Sequence, residues 1–234
     1  CTALLLSFLL VGCSSDEQAS DASTAVAYTN ARIITGLNEA AIEVGTIVVD
    51  NGLIIAAGAS SEVDIPAGVA SVDLAGATLM PMMADTHVHL STNVDGLVQD
   101  LRNRVHFGVN AAMSLGMDND DAVFAVQQET PSGVARYFTA GRGITRTEPG
   151  RTEAPHWVET PDEARESVRA EAARGVDIIK IWVDERGGQY EKLTPELYGA
   201  VIDEAHMNGI RVTAHIFSLE DAKGLLEAGI DSFA

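Results

Sequence analysis

The sequence predicts an α/β fold in which strands alternate with amphipathic helices, preceded by a small all-β segment. Three observations predict it. Short apolar runs recur between helical patterns after residue 85. N-cap residues and C-terminal glycines bracket those patterns. Residues 27–80, by contrast, hold no helical pattern of useful length. Such βα repetition implies a parallel sheet with helical cover, open or closed into a barrel.

The first segment lies outside this scheme. Residues 1–12, CTALLLSFLLVG, are apolar and uncharged. A membrane-spanning helix needs about 20 such residues. The length suits the h-region of a secretory signal peptide, here partial because no basic segment precedes it. The run ends in Leu10-Val11-Gly12-Cys13, which resembles the lipobox of bacterial lipoproteins. That resemblance implies cleavage after Gly12, loss of Cys1 and a lipid on the Cys13 sulfur. Residues 13–26 are then the lipidated Cys and a flexible tether, SSDEQASDASTA being small, acidic and aperiodic. Ser14 after the Cys favours, by the same resemblance, a periplasm-facing lipoprotein of a Gram-negative outer membrane.

Residues 27–80 form the small β domain. Candidate strands are 27–34, 45–50, 53–57, 72–74 and 78–80. Asn51-Gly52 between two of them is a strong two-residue hairpin signal. Residues 81–234 carry the βα repeats. Further strands are expected at 111–115, 135–140, 178–183 and 211–215, with helices near 96–107, 120–128, 161–174, 195–208 and 219–228. Thr160-Pro161-Asp162-Glu163 is a capping box with Pro at the first helical position. Thr194 and Ser218 are further N-caps, and Gly175, Gly209 and Gly229 sit where helices end.

Composition narrows the function. Apolar content of 46% and charged content of 21% suit a soluble globular chain. A net charge of −19 repels phosphate, so nucleic acid is not an expected partner. Two cysteines make no disulfide framework. P-loop, CxxC and GxSxG patterns are absent from the sequence.

Four residues stand out as metal ligands. In Asp85-Thr86-His87-Val88-His89-Leu90, strand alternation puts His87 and His89 on one face, about 7 Å apart along the strand. Such a pair can grip one metal ion, or serve as plain strand-end histidines. Lys180 interrupts Ile178-Ile179-Lys180-Ile181-Trp182-Val183 in a chain with only three lysines. It either pairs with a carboxylate, or is a desolvated amine able to take up CO2 and become an anionic oxygen ligand. His215 ends Val212-Thr213-Ala214-His215. All four fall at or near strand C-termini, the rim on which a βα barrel builds its site. His106 and His206 read as helix-end residues. His156 lies in the loop 141–160, long enough to border an active site. In that loop Arg142, Arg146 and Arg151 either bind a substrate carboxylate or solvate the chain.

Together these residues resemble the amidohydrolase superfamily, over about residues 27–234. The carriers are Val49-Asp50-Asn51-Gly52-Leu53-Ile54, Leu79 to His89, Gly175 to Ile181, Val212 to His215 and Ala228 to Ser232. The similarity is greatest to the branch of imidazolonepropionase-related proteins and Xaa-Pro or Xaa-Arg dipeptidases. The resemblance implies a (β/α)8 TIM barrel, here incomplete with strands 1 to about 6. It implies two Zn2+ or other divalent ions, with His87 and His89 on one, His215 on the other and Lys180 bridging as a carbamate. A metal-bound hydroxide would attack the carbonyl of an amide, peptide or other carbon–nitrogen bond in a small-molecule substrate, a dipeptide or N-acyl amino acid. The general-base Asp is expected beyond residue 234, which leaves residues 1–234 alone inactive. Met82 stands where the family commonly has Gly. The alternatives are a mononuclear deaminase or cyclic-amidase relative, and a non-catalytic binding lipoprotein.

Overall fold

A computed structural model describes residues 24–234. The signal peptide, Cys13 and nearly all of the tether lie outside the described residues. The chain divides into two compact units, the first ending at Pro81 and the second running over Met82–Ala234.

The described part of the first unit is built of strands: β1 (Val26–Ile33), β2 (Ile42–Asp50), β3 (Leu53–Ala59), β4 (Ala70–Asp73) and β5 (Thr78–Leu79). Their order is β3-β2-β1-β4, with β5 also on β1. The hairpin forms where expected: Asp50 pairs with Leu53, and Asn51 and Gly52 take φ of 48° and 77°. Both values are the positive φ that a type I′ turn requires. β2 starts three residues earlier than the sequence suggested. Ile42 pairs with Ile33, and the Arg32 guanidinium meets Glu43 at 3.1 Å, so polar residues join the strand. Ala25, Ala27 and Val48 form its small core.

The second unit alternates strands and helices. Its order is β6 (Met83–Val88), α1 (Val94–His106), β7 (Val109–Ser114), α2 (Val123–Gln128), β8 (Arg136–Thr139), β9 (Ile144–Thr145), β10 (His156–Trp157), α3 (Pro161–Arg174), β11 (Ile179–Val183), α4 (Pro195–Met207), β12 (Val212–Ile216), α5 (Leu219–Glu227) and β13 (Ser232–Phe233). All strand pairs within it are parallel, in two sheets, β6-β7-β8 and β10-β9-β11-β12-β13. Asp177 joins them: its backbone N donates to Thr139 O at 2.9 Å, and its carboxylate accepts from Thr139 N at 2.8 Å.

Local chemistry explains the helix ends. Thr160 and Glu163 complete the reciprocal capping box of α3, which ends at Gly175 with φ 83°. Asn93, not singled out in the sequence, caps α1 by accepting from Gly96 N, so this helix begins two residues before the expected start. α2 begins late, because Asp120 to Ala122 instead make tight three-residue turns with Val123, Phe124 and Ala125. The helices bury one side against the sheets. Leu97, Leu101, Val168, Val201 and Leu225 on the helices, and Ile181 on β11, are fully buried, each contributing about 1.5–3 kcal/mol. Among the described residues no helix is long and apolar enough to cross a membrane.

Candidate active site

Strand alternation and register place the expected ligands together. Val88 on β6 pairs with Ser114 on β7, and His87 and His89 flank Val88 with their rings 5.6 Å apart, edge to face. On β11 and β12, Lys180 pairs with Thr213 and Trp182 with His215. Register therefore sets Lys180, Trp182 and His215 on one face of the sheet. His87, His89, His215 and Trp182 line one cleft of about 710 Å3. Lys180 lies beneath, with 0% exposure.

The electrostatics show how close these groups are. Burial pushes Lys180 down to about 8, and its Nζ finds no hydrogen-bond partner. The ammonium sits 5.5 Å from the Trp182 ring centroid. Desolvation, then the Lys180 charge, holds His87, His89 and His215 below the ordinary imidazole value. His87 also feels His89 and His215. Three imidazoles kept neutral present lone pairs, the form that binds metal. Among the described residues no three His, Cys, Asp or Glu side chains form a metal-holding group by themselves.

Two glycines make room for this arrangement. A Cβ on Gly143 would collide with the Trp182 ring, and one on Gly116 would stand 2.5 Å from that ring and 3.0 Å from Lys180 Cγ. The loop ends after β7 and β8 therefore press onto Trp182 and the lysine stem.

A buried polar cluster backs the cleft. Ser114 Oγ and Thr139 Oγ1 donate to the two oxygens of Asp118, at 3.0 and 2.5 Å. All three side chains are buried, and the Asp118 charge acts on His89. Burial, then Asp118, drives the Tyr137 phenol well above its usual range.

The loop 141–160 is not structureless, since β9 and β10 lie within it and Ile144 pairs with Ile181. Its three arginines have separate roles. Arg142 holds the loop's own carbonyls, with Nε at 2.6 Å from Ala154 O and Nη2 at 3.0 and 3.1 Å from Glu153 O and Pro155 O. Arg146 pairs with Glu159 at 2.7 Å and Glu191 at 2.5 Å. Arg151 lines the cleft. His156 turns away from that role: its Nε2 meets buried Glu171 at 2.7 Å. His206 pairs with Asp231 at 2.9 Å.

Glu148, Asp184 and Arg186 are site residues that sequence reasoning missed. Glu148 and Arg186 line the cleft with Leu90, Met117 and Pro155. Asp184 directly follows β11, and its carboxylate lies 3.5 Å from His215 Nε2. Arg186 holds a φ of 54°, with its backbone N donating to Asp184 Oδ1 at 2.8 Å. Its side chain contacts both Asp184 and Glu148. The available signal was an acidic residue closing an apolar strand just before Gly187-Gly188.

No protein-family profile matches the chain. Uncharacterised proteins of Mycobacterium bovis and Mycobacterium tuberculosis are 30% identical over 168 residues, which is 67% of this chain and 44% of theirs. The chain thus spans less than half the length of these curated relatives. Among solved structures, a proposed prolidase from Bifidobacterium longum superposes with TM-score 0.75 and 29% identity, over 90% of this chain and 54% of its own. A Xaa-Pro dipeptidase with methionine bound in its active site gives TM-score 0.73 and 21% identity, over 89% and 61%. These neighbours have the amidohydrolase fold, and the likeness shows that this chain shares it.

Proposed function

We propose that the complete protein is a metal-dependent hydrolase of amide or peptide carbon–nitrogen bonds. One observation carries the reading: a fully buried lysine amine without a hydrogen-bond partner lies beneath a cleft lined by three neutralised imidazoles. Leaving such an ammonium uncompensated is costly, and the donor set suits a divalent cation of the zinc class. His87 and His89 would hold one metal ion and His215 a second, and Lys180 would serve both as a carbamate. That adduct forms when the neutral amine attacks CO2, making an N–C bond and releasing one proton.

The bound metal supplies Lewis acidity and an activated water. This chain's own residues do the rest. Trp182, Leu90 and Met117 give the cleft an apolar wall against which a substrate side chain can pack. Asp118, fixed by Ser114 and Thr139, supplies a buried negative charge behind His89. Asp184 does the same beside His215. The parallel strands β6 to β13 are read as part of a (β/α)8 barrel, and the general base as a residue outside 1–234. The proposed substrate class is a dipeptide or N-acyl amino acid, in keeping with the dipeptidase neighbour.

Metal analysis and hydrolysis assays on the full-length protein test this. About two zinc ions per chain, with hydrolysis of dipeptides or N-acyl amino acids that chelation abolishes, is the expected result. One ion per chain would favour the mononuclear reading, and none would sink the hydrolase assignment. The proposed location is separately testable. Cys13→Ala should move the protein out of the membrane fraction or leave it unprocessed, and unchanged fractionation would refute the lipid anchor.

A further inference from the structure

We propose that Arg151 and Arg186, yoked through Glu148, form a carboxylate subsite in the cleft, so that the substrate carries a free carboxylate. The inference rests on the hydrolase reading and sharpens it. It selects acids over carboxamides, esters and ureas of similar shape.

The geometry builds the subsite from one buried acid. Glu148 accepts from Arg186 Nε at 3.0 Å through Oε1, and Arg151 Nε lies 2.8 Å from Oε2. One carboxylate therefore fixes two guanidiniums side by side. Asp184 holds Arg186 from its other edge through Nη1. A guanidinium carries five N–H donors in a planar fork matched to a carboxylate. Here the structural contacts use the Nε of both arginines and one Nη of Arg186. Arg151 Nη1 and Nη2 and Arg186 Nη2 make no hydrogen bond among the described residues.

Placement gives these donors a use. Arg151 and Arg186 line the same cleft as His87, His89 and His215. The Arg186 charge acts on the His215 imidazole. An anion bound there would sit beside the candidate metal centre, with Trp182 and Met117 offering an apolar wall for its side chain. The strained backbone at Arg186 fits this role, since a residue held in a disfavoured conformation needs support such as the two buried acids give. Glu148 and Asp184 balance the two guanidiniums in charge, so the pull on an anion comes from their unused N–H donors. With 34 acidic residues against 15 basic ones, the chain's general surface repels a carboxylate.

The test is calorimetric binding of N-acetyl-L-methionine and N-acetyl-L-methioninamide to the full-length protein after chelator treatment. The two probes differ only at the terminal carboxylate, and neither can bind a metal that has been removed. The acid should bind at least about 10-fold more tightly than the amide, as charge-assisted hydrogen bonds warrant. Arg151→Gln should remove that preference by weakening acid binding more than amide binding, and Arg151→Lys should keep part of it. Arg151 is 44% exposed on its side chain, so these variants should fold, which the thermal transition verifies. No saturable binding of the acid, equal binding of both probes, or an unchanged preference in Arg151→Gln overturns the subsite. Hydrolysis of the acid after zinc is restored tests the catalytic reading separately. Selective binding without hydrolysis would uphold the subsite and defeat the hydrolase.

Discussion

Lys180→Met should strip the full-length protein of most of its metal and its hydrolytic activity, yet make the metal-free protein more stable by about 1–4 kcal/mol. The two effects share one cause. The ammonium is fully buried, lacks an acceptor and is held down to about 8 by desolvation. Methionine fills nearly the same volume without a charge, and its flexible thioether suits an irregular gap. Removing an uncompensated charge relieves the fold, while removing the amine removes the group proposed to become a carbamate. Metal analysis gives one half of the result, and thermal unfolding of chelator-treated protein the other. A metal-free variant less stable than the wild type would contradict the account of Lys180 as an unpaired charge. Wild-type zinc in the variant would favour the mononuclear reading. In Lys180→Ala, added acetate or propionate should restore part of the metal by placing a carboxylate in the vacated space.

Glu171→Ala should cost about 3–5 kcal/mol of stability, the usual consequence of breaking a buried ionic network. Glu171 is 1% exposed and ties the long loop to α3. Its Oε1 meets His156 Nε2 at 2.7 Å, and its Oε2 accepts from Arg174 Nη1 at 2.8 Å and from the Arg142 backbone N at 3.2 Å. Alanine leaves all three partners without their acceptor. Arg142 in turn holds the carbonyls of residues 153–155, so the loss should loosen the wall of the cleft as well. Urea unfolding checks the first effect. A loss below about 1 kcal/mol would show that the network is not coupled to folding.

The legible parts of the sequence were those whose physics is local. A capping box needs only four neighbouring residues, and Asn51-Gly52 needs only two; both formed as expected. The convergence of His87, His89, Lys180 and His215 was also readable, because each closes or interrupts an apolar strand and parallel strands end on one side. The remaining cleft residues were not. Glu148 sits among loop residues that look like solvated chain, and its burial depends on Arg186, 38 positions later. His156 looked available to substrate because its partner, Glu171, is one of many helix carboxylates until the fold aims it inward. Arg142, Arg146 and Arg151 are chemically alike, and only the acceptors brought to them by other segments set them apart.

The second unit's strand order also says how such a chain can assemble. β6, β7 and β8 pair in sequence order, as do β11, β12 and β13. For each of these strands after β6, the partner on one side has already left the ribosome when the strand itself emerges. Structure can then grow by accretion at one edge, each helix closing over the strand pair just formed. Contacts that join near neighbours in sequence are reached quickly, because short loops lose little entropy on closure. The vulnerable point in such vectorial growth is the newest edge, which stays open until the next strand arrives. A pause in synthesis after β8 would leave Ala111, Ala112 and Tyr137 part-assembled, with β11 and its isoleucines still to come.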